Sequence, residues 1–145
     1  IGDKTVQMTC LSMGNPHCVI FVKRLYELDE AESAALAATI QADPFFPQGV
    51  NVEFVEVVSR KHLKILVWER GCGKTLACAS GAAAALVAGA VEGRCDRTAR
   101  VDLPGGALDI SWSESDNHVR ITGPAAVVFE GQIDLRQFHL EDKSW

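Results

Sequence analysis

Cys78 stands where a glycine-rich turn meets an alanine-rich stretch, in the run Trp68-Glu69-Arg70-Gly71-Cys72-Gly73-Lys74-Thr75-Leu76-Ala77-Cys78-Ala79-Ser80-Gly81. Ile65-Leu66-Val67-Trp68 reads as the end of a strand, and residues 76–91 then run sixteen positions without a formal charge. The pattern predicts a strand, a tight turn and a helix whose first turn carries the thiol. A thiol there feels the positive end of the helix dipole, which favours thiolate. The first N–H groups of a helix have no intrahelical acceptor, so those of Ala79, Ser80 and Gly81 are free to hold an anion such as a carboxylate. A buried cysteine packed as a small hydrophobe is the bland alternative. The glycine turn and the helix start favour acid/base chemistry on an amino acid or a related acid.

Other polar residues fall into place around this thiol. Glu69 and Arg70 end a strand, where a solvated charge pair is the ordinary reading. The turn that follows can return the chain so that both face Cys78, Glu69 to assist proton movement and Arg70 to bind a carboxylate. Asn15 and His17 lie in Met13-Gly14-Asn15-Pro16-His17-Cys18, a turn with no evident packing purpose. Cys18 begins a strand and is read as structural. Asn51 opens a strand after Gly49 and is a weak candidate by itself. Gly73-Lys74-Thr75 imitates the end of a phosphate-binding loop, but the first glycine of that motif falls on Trp68. A tryptophan neither takes the backbone conformation nor permits the close phosphate approach that glycine allows.

The elements that must position these residues follow from periodicity and punctuation. Strands are expected at 5–11 and 17–22, a helix at 29–41 capped by Asp29, and a strand pair at 51–58 and 62–68. The helix at 77–91 has no polar face and should be enclosed by protein on all sides. Strands at 99–103, 107–112, 119–122 and 125–129 complete the chain, with a polar tail from Asp134 onward. Many short strands and one thin apolar helix predict an α+β fold, a mixed, mostly antiparallel sheet curled as a barrel around that helix. Its N-terminus, with Cys78, should emerge at one end.

Composition narrows the function classes. At 145 residues with net charge −5, the chain fits a single domain. It lacks the basic runs expected of a nucleic-acid or anionic-membrane binder, and its uncharged run is too short for a membrane span. Five cysteines without scaffold spacing suggest a reducing cytoplasm. No histidine completes a zinc pattern around them, so no metal is expected. A start at Ile1-Gly2-Asp3, without initiator methionine or leader, is expected of a fragment or lobe of a longer protein.

These motifs resemble the C-terminal half of diaminopimelate epimerases. Gly14-Asn15-Pro16-His17, Asn51-Val52-Glu53-Phe54, the block at 68–78, Leu103-Pro104-Gly105-Gly106 and the segment at 122–131 match that family's segments in order. The resemblance implies epimerisation of LL- to meso-diaminopimelate, in lysine and peptidoglycan synthesis, with neither pyridoxal phosphate nor metal. Two cysteines would act from opposite faces of the α-carbon, and Cys78 matches the second of them. His17 and Glu69 match residues that assist the thiols. Asn15, Asn51 and Arg70 match substrate contacts, and Ala79 and Ser80 match amides that hold the α-carboxylate. Lys74 and Ala79 depart from common residues without removing a reacting atom. The family's first lobe, with its Cys-Gly-Asn-Gly segment, has no counterpart in this chain. The chain alone is therefore expected not to epimerise, and the face left by that lobe makes a homodimer one expected assembly. Alternatives are a related racemase or isomerase of the same fold, a phosphate-loop module using Lys74, and a lobe that binds carboxylates without catalysis.

Overall fold

In β4 (His62–Glu69), Leu63, Ile65 and Val67 are buried while Lys64 is exposed, the alternation of a strand with one face toward a core. The computed structural model describes residues 5–134. It arranges β1 (Thr9–Ser12), β2 (Pro16–Val22), β3 (Asn51–Ser59), β4, β6 (Thr98–Leu103), β7 (Gly106–Trp112) and β8 (Val119–Thr122) in one sheet, in that spatial order. The short β5 (Gly73–Thr75) folds back on β4. The β2–β3 and β4–β6 pairs are parallel and the rest antiparallel. Each parallel pair is bridged by a helix, as parallel neighbours require: α1 (Glu30–Gln41) for the first and α2 (Ala79–Val91) for the second.

Helix α1 begins as the sequence predicts, with the Asp29 carboxylate accepting from the Glu32 amide at 2.9 Å. Its buried residues Ser33, Ala37 and Ile40 recur at helical spacing and meet the outer face of the sheet, through Cys18, Ile20, Val50, Val52, Phe54 and Trp68. On the opposite face α2 packs against β1, β2, β3, β4, β6, β7 and β8. Gly81 to Leu86, Ala88 and Gly89 are buried among Val19, Val55, Leu63, Ile65, Val67, Val101 and Ile110. The side chains of α2 are small because the space is small. A Cβ at Gly81 would lie 2.9 Å from Glu53 Oε1, and one at Gly89 would lie 2.7 Å from Cys95 Sγ.

The predicted sheet curled around an apolar helix is therefore present, as an open half-barrel with β1 and β8 at its edges. Two expectations need correction. The first strand is displaced to Thr9–Ser12, where its pairing with β2 begins. Residues 125–129 form no strand. Val127, Val128 and Phe129 are exposed, with no neighbouring strand among the described residues to complete a ladder, and β-propensity without a pairing partner does not make a strand. The expected tail lies, beyond Asp134, outside the described residues.

Strand parity decides what faces α2. Odd-numbered residues of β2, β3 and β4 point toward α2, as Val19, Val55, Leu63, Ile65 and Val67 do, and even-numbered ones such as Cys18, Val52, Phe54 and Trp68 point toward α1. His17, Asn51, Glu53 and Glu69 share the odd parity. The alternation thus turns four polar side chains toward the start of α2.

The importance of the α2 core has a direct test in two leucines. Leu86 is fully buried and Leu76 is 72% exposed. Urea unfolding should show Leu86→Ala destabilised by about 2–5 kcal/mol through lost burial and a cavity, and Leu76→Ala by less than about 0.5 kcal/mol.

Candidate active site

The turn between β4 and α2 is built from glycines with left-handed backbone. Gly71 and Gly73 both have φ of +76°, a region that side-chain-bearing residues enter at a cost. The reversal pairs Glu69 with Gly73 and Val67 with Thr75. Thr75 Oγ1 consequently donates to Glu69 Oε1 at 2.6 Å. The chain then passes Leu76, whose carbonyl accepts from the Gly105 amide at 2.7 Å. That bond ties the Pro104-Gly105-Gly106 turn to the approach of α2.

Cys78 is the N-cap of α2, in extended backbone, and its Sγ accepts from the Gly81 amide at 3.4 Å. The Ala82 amide bonds the Cys78 carbonyl. The amides of Ala79 and Ser80 remain without intrahelical acceptors. Ala79 is exposed and Ser80 half-buried, so this pair of donors is reachable from outside the half-barrel.

The remaining candidates converge from the sheet. Ser80 Oγ lies 3.5 Å from Cys78 Sγ and 3.5 Å from Asn15 Nδ2. Asn15 Oδ1 lies 3.1 Å from His17 Nε2, and His17 Nδ1 lies 2.6 Å from Glu53 Oε1. Glu53, His17, Asn15, Ser80 and Cys78 thereby form one continuous chain of polar contacts. His17 is fully buried, with both ring nitrogens engaged by residues of this chain. Asn51 Oδ1 accepts from the Arg70 amide at 3.0 Å, fixing the end of β4 to the start of β3. The Arg70 side chain is exposed and bonds the Gln48 carbonyl at 3.1 Å. Its guanidinium is therefore directed to the Gln48 loop.

Two expectations about this segment change. Cys78 was expected to favour thiolate, yet its pKa is raised. Burial is the largest cause, and the Glu69 carboxylate adds to it. Contacts from Ser80 and the Gly81 amide oppose the shift without cancelling it. At a thiol only 7% exposed, desolvation outweighs the helix-start donors. The phosphate-loop reading also falls. Gly73-Lys74-Thr75 is strand β5, and Lys74 reaches the α1 side of the sheet. There its Nζ meets Glu30 at 3.0 Å and lies 5.7 Å from the centre of the Trp68 ring.

Glu53 is the residue that sequence reasoning passed over. It is fully buried, and burial raises its pKa while the contact with His17 opposes the rise. Its signal was a carboxylate two residues after Asn51, flanked by Val52 and Phe54, on the parity of the other candidates. A groove of about 410 Å³ lies elsewhere, beside α1, lined by Glu27, Asp29, Ser33 and Phe54 among others. It shares none of the site residues.

Residues 9–128 match the family model described as Diaminopimelate epimerase. The diaminopimelate epimerase of Picosynechococcus sp. is 48% identical over 135 residues, covering 93% of this chain and 47% of that protein. That of Nostoc punctiforme is 50% identical over 133 residues, covering 92% and 47%. The chloroplastic diaminopimelate epimerase of Oryza sativa subsp. japonica is 49% identical over 134 residues, covering 90% and 38%. The chain spans about half the length of the bacterial relatives it matches. A crystal structure of the Bacillus anthracis phenazine biosynthesis protein, PhzF family, shares the fold with TM-score 0.56 at 16% identity, over 80% of this chain and 38% of that one. The PhzF family protein of Enterococcus faecalis does so with TM-score 0.54 at 14% identity, over 69% and 35%. By its sequence, the chain belongs to the diaminopimelate epimerase family.

Proposed function

We propose that this chain forms one half of a diaminopimelate epimerase active site, with Cys78 as the acid/base on one face of the substrate α-carbon. The observation that carries the reading is the geometry of the α2 start: a thiol on the N-cap beside two amides that have no intrahelical acceptor, with Glu69 near it. Removing a proton next to a carboxylate pushes negative charge onto the carboxylate oxygens. Amides of Ala79 and Ser80 at a helix N-terminus are suited to hold that charge as it develops. Cys78, held as thiol by its surroundings, delivers a proton to the carbanion in one direction. In the reverse direction it must first lose that proton, and Glu69 is the adjacent acceptor. In this reading Asn15 and Asn51 contact the substrate, and Arg70 does so by exchanging the Gln48 carbonyl for a substrate carboxylate.

Inversion needs a second group on the opposite face. This chain supplies one face, and the other half of the protein supplies the partner cysteine. The family membership and the half-length match support this division of labour. Five free thiols fit a reducing compartment, the cytoplasm in a bacterium.

For the full-length protein in deuterium oxide, α-proton exchange on LL-diaminopimelate should be readily measured and proline should not exchange. Cys78→Ala should abolish inversion while leaving the protein folded. Exchange that survives unchanged in Cys78→Ala would remove the thiol from the mechanism, and a preference for proline would favour a related racemase.

The thiol state has its own readout in this chain. Near neutral pH, iodoacetamide should label exposed Cys10 and Cys72 before buried Cys78, Cys18 and Cys95. Because burial raises the Cys78 pKa, its labelling rate should go on climbing above about pH 9.5, where an ordinary thiol of pKa about 8.5 is almost fully ionised and levels off. Mass spectrometry that finds Cys78 labelled first at neutral pH would restore the thiolate assignment.

A further inference from the structure

The hydrogen bonds around His17 constrain where its hydrogens lie. Asn15 turns its Oδ1 to His17 Nε2 and its Nδ2 to Ser80. With the amide in that orientation the carbonyl oxygen only accepts, so Nε2 then carries a hydrogen. Two arrangements with Glu53 are then consistent with the 2.6 Å contact at Nδ1. Either a protonated Glu53 donates to a bare Nδ1, or a doubly protonated imidazole donates to the carboxylate. Both give the pair two hydrogens and no net charge.

The remaining arrangement, a carboxylate facing an imidazole with Nε2 bare, has two penalties. It places an uncompensated negative charge where both side chains are fully buried. It also leaves that charge on a carboxyl group whose Oε2 has no well-formed hydrogen bond among the described residues. Burial independently favours retaining the hydrogen, with nearby Glu69 acting in the same direction and His17 and the Cys18 amide opposing it. The bare Nε2 would have a consequence at the site as well. It would draw the Asn15 NH₂ inward and turn the amide carbonyl toward Ser80, where it would repel a carboxylate.

Resting on the reading above, we propose that Glu53 is a positioning residue: through His17 it locks the Asn15 amide with its NH₂ facing the substrate carboxylate beside Ser80. Glu53 touches no substrate in this account. Its place is fixed by the missing side chain of Gly81, since a Cβ there would stand 2.9 Å from Glu53 Oε1. The same Gly81 amide bonds Cys78. The lock and the thiol therefore share one backbone position.

The test uses the full-length protein carrying both halves, as wild type, Glu53→Met and Glu53→Gln. Methionine keeps the length of the side chain and removes its hydrogen bond. Glu53→Met should lose on the order of 100-fold in kcat/KM for LL-diaminopimelate, carried mainly by KM. Glu53→Gln should retain most activity, because its amide N–H can donate to Nδ1 and keep the hydrogen on Nε2. A folded Glu53→Met with unchanged KM would overturn the proposal. So would Glu53→Gln as damaged as Glu53→Met, since a carboxylate charge would then be what matters. If Glu53→Met does not fold, long-range proton–nitrogen NMR of the wild-type imidazoles decides, with His17 assigned by His17→Gln. A protonated Nε2 supports the lock and a bare Nε2 overturns it. Wild type that exchanges no diaminopimelate would instead remove the proposed function, leaving the NMR result to judge the Glu53–His17 arrangement.

Discussion

The first turn of α2 is closed by a sulfur. Serine, threonine, aspartate or asparagine ordinarily caps a helix, because an oxygen accepts a strong bond from the N–H two or three residues on. Here Cys78 Sγ accepts from the Gly81 amide at 3.4 Å, a weaker contact. The strand-to-helix approach must then be held by other means. Gly105 anchors Leu76, Thr75 anchors Glu69, and the buried Glu53 carboxyl occupies the space a Gly81 side chain would need. A helix start with an oxygen cap would be simpler to build, but it would have no thiol at its open donors. Much of the local structure follows from putting that thiol there.

Pleating brings the polar groups to the same place. A strand shows alternate residues to opposite faces, and β3 is covered on both, by α1 and by α2. Val52 and Phe54 turn outward to α1, which leaves Asn51 and Glu53 facing the end of α2. The parallel register sets His17 beside Asn51, and the antiparallel register of β4 carries Glu69 to the same level. A shift of one residue in either pairing would send these side chains to the α1 face. The apolar residues of the same strands therefore hold the chemistry in register, and the site has no framework separate from the core.

Much of this was readable from the chain. Alternation at Leu63, Ile65 and Val67, the Asp29 cap, and an uncharged alanine-rich segment after a glycine turn correspond to β4, α1 and α2. Convergence of Asn15, His17, Glu69 and Ser80 on Cys78 followed from motifs spread along the chain. What escaped depended on three-dimensional environment. The helix dipole is visible in sequence, but the desolvation of Cys78 is set by neighbours from several strands, and it dominates. Glu53 reads as an ordinary strand carboxylate until its full burial against His17 is seen. Residues 125–129 have strand composition, yet pairing needs a partner that composition cannot announce.

The central claim is that this chain provides one face of a two-faced reaction. The decisive measurement is inversion of LL-diaminopimelate by the 145-residue chain, alone and beside the full-length protein, with Cys78→Ala of each as control. The account predicts that the full-length protein inverts its substrate in a Cys78-dependent manner and that the chain alone does not. Sustained, Cys78-dependent inversion by the chain alone would contradict it, because one thiol on one face would then suffice.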